Sequence, residues 1–262
     1  MSSLTGLRDS FFFRHGGDSL KDISSGSLLA AFLFMTVPLW LSYKQQLGIS
    51  KDIVIASIRA FVQLMGIGYL ITLVFSIKSP VVFTLLILLM IIIAARTCAR
   101  RGGVFHHSFR IAFFAIITAE IVSVIIWILF DIVSYEAQYI LPMSGMIIGS
   151  SMVAVSLTFD RLKREFDSTK EMIMGKLALG ATNRQASQDL IEAEVKASLI
   201  PNVGAMKVIG LVQLPGMMTG AIIAGASPVI AVKYQLVILL TIFGNAAITS
   251  IMVSFLTYPA FF

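Results

Sequence analysis

Residues 111–130 read IAFFAIITAEIVSVIIWILF, with one charged side chain, Glu120, near the centre of the run. Crossing a hydrocarbon core of about 30 Å takes roughly 20 predominantly apolar residues as helix. Irregular backbone facing lipid would leave amides unsatisfied, so the run predicts a membrane-crossing helix. Working upstream, uncharged windows follow at Ser79 to Ala95, at Ile53 to Ile77 with Arg59 inside, and at Ile23 to Tyr43. Trp40 and Tyr43 in the last of these suit an interfacial aromatic belt. Downstream lie Ala137 to Phe159, Val208 to Val232, and Tyr234 to Phe262. The expected fold is an all-α membrane protein, a bundle of about seven transmembrane helices with a helical cytoplasmic elbow.

Composition agrees. The 262 residues are 57% hydrophobic and 13% charged, with a mean hydropathy of +0.91. A soluble domain carries about 25% charged residues, so a water-facing surface could not be covered here. The formal net charge of +6 is carried by loops between apolar runs. That is the signature of membrane orientation and argues against a nucleic-acid groove. Cys98 is the single cysteine, so an internal disulfide is excluded.

Lys and Arg placement sets the expected topology. One side receives Lys44, Lys51, Arg96, Arg100, Arg101 and Arg110, then the basic residues from Arg161 to Lys207. The other keeps Arg8, Arg14, Lys21, Lys78 and Lys233. This puts the N-terminus outside and the C-terminus in the cytoplasm of a multi-pass cell-membrane protein. Four regions result: an extracytoplasmic tail at 1–22, transmembrane helices one to five at 23–159, a cytoplasmic segment at 160–201, and helices six and seven at 202–262. No cleavable leader is expected, because Asp9, Asp18 and Asp22 precede the first apolar run and no small-residue cleavage site follows it.

The cytoplasmic segment reads as two helices. The first covers 161–179 and stops at Gly180; Thr182 caps the second, with Gln185 completing a capping box. Leu190, Ile191, Val195 and Leu199 give the second helix an apolar stripe, and Pro201 is expected to end it. The elbow either folds against its own bundle or docks a soluble partner.

Catalytic motifs do not occur. Gly175-Lys176 lacks the upstream glycine of a phosphate-binding loop, and no H-E-x-x-H helix exists. His106 and His107 are adjacent, pointing apart on any helix, and no metal-ligating set is assigned. The chain is expected not to be an enzyme.

A transport path is the better expectation. Arg59 and Glu120 lie inside spans, where ionisable groups are costly and usually face a bundle interior or a water-filled cavity. Arg59 is near enough to its helix end to snorkel. Gly145 and Gly149 in the fifth window, and Gly216 and Gly220 in the sixth, form small-xxx-small pairs suited to helix packing. Pro215 removes a backbone donor and Gly216 loosens the turn, so the sixth helix should kink or break. Broken helices at membrane depth often mark transport sites. Met143, Met146, Met217 and Met218, with Gln213, could line the path or serve as pliable filler.

Several runs resemble the bacterial FetB (YbbM) permeases. They are Arg59-Ala60, Gln63-Leu64 and Gly68-Tyr69; Gly145-Met146-Ile147; Met152 to Val155; Leu177 to Thr182; and Gly210-Leu211-Val212 through Leu214-Pro215-Gly216-Met217-Met218. Ala231 to Gln235 continues the likeness, which covers nearly the whole chain from the first span onward. The resemblance implies the permease subunit of an ABC transporter that exports iron or a related metal. The pump would be homodimeric, with a separate cytosolic ATPase that spends the ATP and no cofactor on this chain. Gln63 is also a candidate for the path. The resemblance also implies an ATPase contact formed by Leu177, Leu179, Gly180, Ala181, Thr182 and Gln185. Plant relatives tied to aluminium tolerance, for which a nucleotide-sugar cargo is proposed, belong to the same resemblance. An ATP-independent channel, a proton-coupled carrier using Glu120, and a membrane scaffold are the rival expectations.

Overall fold

The computed structural model describes residues 24–76, 79–103, 105 and 107–262. The tail expected at 1–22, together with Ile23, Lys78 and His106, lies outside them. The chain divides into two units, Met1–Leu73 and Val74–Phe262.

In the first unit, α1 (Ser25–Ala31), a 3-10 turn (Phe32–Met35) and α2 (Thr36–Lys44) follow one another without a gap, and α3 (Ser50–Ser76) begins after a short loop. The first apolar window is therefore helical but not one regular α-helix. Pro38 explains this: its ring crowds the carbonyl four residues back, at Phe34, and it offers no N–H there. The Ser42 and Ser50 hydroxyls pair at 2.8 Å across the loop. The Phe32 and Phe61 rings meet edge to face, 5.8 Å between centroids.

The second unit holds the end of α3 and then α4 (Pro80–Arg101), α5 (Ser108–Leu129), α6 (Ala137–Ala178), α7 (Asn183–Val208), α8 (Gly216–Ile223) and α9 (Pro228–Thr257). A final 3-10 turn occupies Tyr258–Phe261. No strand occurs among the described residues beyond an isolated bridge between Ile209 and Gln213. α6 packs against α4, α7 and α9, while α5 packs against α4 and α9. Small residues make close approach possible where α4 meets α5: Ala95, Ala112, Ala115 and Ala119 are fully buried. Trp127, Ile140, Met143 and Phe159 fill the space between them and their neighbours.

Among the described residues, five helices are long and apolar enough to cross a membrane: Ser50–Tyr69 within α3, α4, α5, α6, and α9 with the following turn, Pro228–Ala260. The chain is a multi-pass, all-helical membrane protein. The two other windows expected to span are built differently, the first by its 3-10 interruption and the sixth by a complete break.

Two boundaries also differ from expectation. The fifth window and the first elbow helix are one continuous 42-residue helix, α6. At 1.5 Å per residue it is about 60 Å long, twice the bilayer core. From Asp160 to Ala178 there is no proline and one glycine, Gly175, so the change from apolar to charged surface leaves the backbone unaltered. The second elbow helix does not stop at Pro201 but continues to Val208. Proline there sacrifices one backbone hydrogen bond, a loss that the helix carries while the turns on either side remain intact.

Candidate functional site

The sixth window shows how a broken helix makes a cavity. After Val208 the chain leaves helical geometry at Ile209 (ψ 137°), and Gly210 takes a left-handed φ of +82°. The Gly210 N–H then donates to the Gln213 carbonyl at 2.9 Å, closing a tight loop. Pro215 precedes α8 in an extended conformation, and α8 ends after only 8 residues. That is about 12 Å of helix, too short to cross the membrane. Gly225 (φ +95°) turns the chain, and Pro228 opens α9 with its missing donor harmlessly placed.

A cavity of about 260 Å³ lies at this break. Met146 of α6 forms one wall; Asn202, Ala205 and Met206 of the last turns of α7, with Ile209 just after it, form another. Gln213, Pro215, Gly216 and Met217 close it from the break, and Gln235, Ile238, Leu239, Ile242 and Phe243 of α9 line the remaining side. The lining contains no charged side chain. Its polar groups are carboxamides, and the Gln235 Oε1 is buried without a hydrogen-bond partner. Thioethers hold hard or intermediate ions poorly. Among the described residues no cluster of three or more His, Cys, Asp or Glu could hold a metal ion.

Of the residues expected on the path, Met146, Gln213, Pro215, Gly216 and Met217 come together here. Met143, one helical turn from Met146, is fully buried in the core and does not line the cavity. Met218 also lies outside the lining. Arg59 and Gln63 sit one turn apart on α3, in the first unit, and both are exposed. Glu120 is 3% exposed, inside the bundle. Asn202, Met206 and Gln235 complete the lining and were missed by the sequence reading. The signal for the first two was their four-residue spacing, hidden by ending the helix at Pro201. Of the packing glycines, a Cβ on Gly145 would meet the Met90 methyl at 3.2 Å, whereas Gly149 and Gly220 face open space.

The turn between α6 and α7 is built by Gly180, whose φ is +92°, and by the Thr182 cap. The Thr182 N–H donates to Gln185 Oε1 at 2.9 Å, and the Gln185 N–H donates to Thr182 Oγ1 at 3.3 Å. Leu179 is 91% exposed at the tip, with Gly180, Thr182 and Gln185 also exposed and Leu177 and Ala181 half-buried. Behind the tip, Glu194 of α7 is buried, and its Oε2 has no partner. Burial pushes its carboxyl up to about 7; Arg161 of α6 opposes that rise and Glu165 adds to it.

A family model described as "Uncharacterised protein family (UPF0014)" matches residues 25–262. The chain belongs to that family. Its members include the "UPF0014 membrane protein YjkA" of Bacillus subtilis, 43% identical over 236 residues, 90% of this chain and 94% of that one. The "Probable iron export permease protein FetB" of Escherichia coli is 35% identical over 92% of this chain and 93% of its own length. "Protein ALUMINUM SENSITIVE 3" of Arabidopsis thaliana is 29% identical over 89% of this chain and 85% of its own. The likeness carried by the Leu177 to Thr182 and Leu214 to Met218 runs is thus a true family membership. No solved structure matches this chain.

Proposed function

We propose that this chain is the membrane subunit of an ABC transporter, exporting iron or a related metal and driven by a separate cytosolic ATPase. One observation carries the reading: both helices that leave the exposed Leu179-Gly180 tip run to the cavity. α6 brings Met146 to its wall, and α7 runs from the Thr182 cap to Asn202, Met206 and Ile209. A push at the tip is therefore delivered to the cavity through stiff helices, the geometry by which a partner's closure can switch access. Leu177, Leu179, Gly180, Ala181, Thr182 and Gln185 form the ATPase contact. In this reading the tip is cytoplasmic, with the N-terminus outside and the C-terminus inside. Two copies work together, and the nucleotide is spent by the partner alone. Iron and the outward direction are taken from the printed name of the FetB relative.

The cavity lining favours a second reading of the cargo. With amides, thioethers and no carboxylate, it suits an organic molecule or a chelated metal better than a bare ion. Reconstitution with the ATPase partner decides. Iron salts, iron chelates and nucleotide sugars are compared for stimulation of ATP hydrolysis and for the side on which each accumulates. Failure of every cargo to move, with unchanged hydrolysis on adding the permease, would defeat the proposal.

A further inference from the structure

The bundle of the second unit contains a group of polar side chains that the cavity does not use. Glu120 of α5 is 3% exposed, Ser144 of α6 is 0% and Asn245 of α9 is 2%. Ser144 adjoins the Glu120 carboxyl. Ser123, one turn along α5 from Glu120, reaches Asn245 Oδ1 at 2.9 Å. Yet both Glu120 oxygens, the Ser144 hydroxyl and Asn245 Nδ2 are buried without a hydrogen-bond partner. Among the described residues, no ion pair from α4, α6 or α9 reaches the carboxyl.

Donor counting sharpens this. The Ser123 hydroxyl has one proton but lies 2.9 Å from two acceptors, Asn245 Oδ1 and the Ala119 carbonyl. A half-turn of the Asn245 amide resolves both problems. Its Nδ2 then donates to Ser123, which donates to Ala119, and Oδ1 is released. What remains unspent is a set of oxygens from three helices: two from Glu120, one from Ser144 and one from Asn245. Together they carry one negative charge. A buried carboxylate needs compensation, and none is supplied by the chain.

We infer that Glu120, Ser144 and Asn245 form an occluded site for one exchangeable monovalent cation, a proton or a sodium ion. The charge sets the valence, since a divalent ion would leave a net positive charge in an apolar interior. The all-oxygen donor set selects a hard ion and excludes a soft one such as copper(I). The Ser144 hydroxyl and the Asn245 carboxamide oxygen complete the shell that one carboxylate cannot. The site is distinct from the cavity at the broken helix, and it stands whether or not an ATPase drives the chain.

The test uses the full chain in phosphatidylcholine nanodiscs, without ATPase or cargo. Thermal unfolding is followed as sodium chloride replaces choline chloride at a constant ionic strength of about 0.15 M. The carboxyl infrared band is recorded at about pH 6 and about pH 8. A sodium occupant raises Tm saturably, and Glu120→Gln abolishes the rise. The Ser144→Ala variant keeps the charge and weakens the sodium midpoint about tenfold. A proton occupant gives no sodium effect but a protonated-carboxyl band that is absent from Glu120→Gln and displaced by Ser144→Ala. Should Glu120→Gln fail to fold, the native chain and Ser144→Ala decide between the same outcomes. The inference is overturned if the native chain ignores sodium and shows only ionised carboxyls at both pH values. A sodium or infrared response unchanged by both variants overturns it as well.

Discussion

The Lys176 ammonium donates to the Asp189 carboxylate at 2.6 Å, joining α6 to α7 just behind the Gly180 turn. Asp189 is 70% exposed, so water and salt screen the pair strongly. Asp189→Asn should therefore cost less than about 1 kcal/mol of stability. The loss should shrink further in about 1 M salt, where the screening length falls to about 3 Å. Thermal unfolding in detergent at two salt concentrations measures it. A loss of several kcal/mol, or one that grows with salt, would mean that the pair does more than align two helix ends.

Gly180 matters more than the ion pair beside it. Its φ of +92° is a conformation that side chains resist, although a Cβ there would meet nothing within 4 Å. Gly180→Ala should therefore cost about 1 kcal/mol from backbone strain alone, with no clash to relieve. Gly180→Asn should cost less, since asparagine tolerates the left-handed region. If the turn transmits the partner's stroke, Gly180→Ala also lowers permease-stimulated ATP hydrolysis while the partner's own hydrolysis is unchanged. Equal stability of all three chains would show that the turn relaxes to another conformation.

Local chemistry made this turn legible in sequence: Gly180, Thr182 and Gln185 act on neighbours only a few residues away. The same holds at Pro215, where a missing backbone donor breaks the sixth window. Elsewhere the reading went astray. Pro201 looks like a stop, but a proline removes only one backbone hydrogen bond, and α7 runs two more turns to Val208. At Asp160 the sequence changes from apolar to charged, and the helix continues through it without a proline to stop it. Glu120 could be singled out by its charge, but its companions could not. Ser123 and Asn245 are 122 residues apart in the chain, and buried serines look like any others until the helices are assembled.

Glu194 gives the elbow a dependence on pH. Burial raises its carboxyl from 4.5 to about 7 in the folded chain, Arg161 opposing and Glu165 assisting. Between those values the folded state holds a proton that the unfolded chain has released. Stability is therefore greatest below the unfolded value and declines as pH rises towards and through about 7. Glu194→Gln, which keeps the shape without the charge, should flatten that decline and be more stable than the native chain at about pH 8. Tm measured across the range in detergent tests it. A native chain whose Tm rises over the same interval, with the variant parallel to it, would remove Glu194 as the cause.

Met143 and Met206 separate packing from path. Met143 is fully buried among core residues of α6, whereas Met206 lines the cavity at the end of α7. Truncating Met143 to alanine leaves a hole that rigid helices cannot close, and should cost about 2–5 kcal/mol. Met206 already borders open volume, so Met206→Ala removes fewer contacts and should cost much less. Enlarging it has the reverse pattern: Met206→Trp occupies part of the roughly 260 Å³ cavity, leaving Tm near native but cutting cargo-stimulated hydrolysis several-fold. The discriminating measurement pairs Tm with cargo response for Met143→Ala and Met206→Trp. If Met206→Trp stimulates normally with every cargo that the native chain accepts, the cavity is not on the path, and the transport route must be sought elsewhere in the bundle.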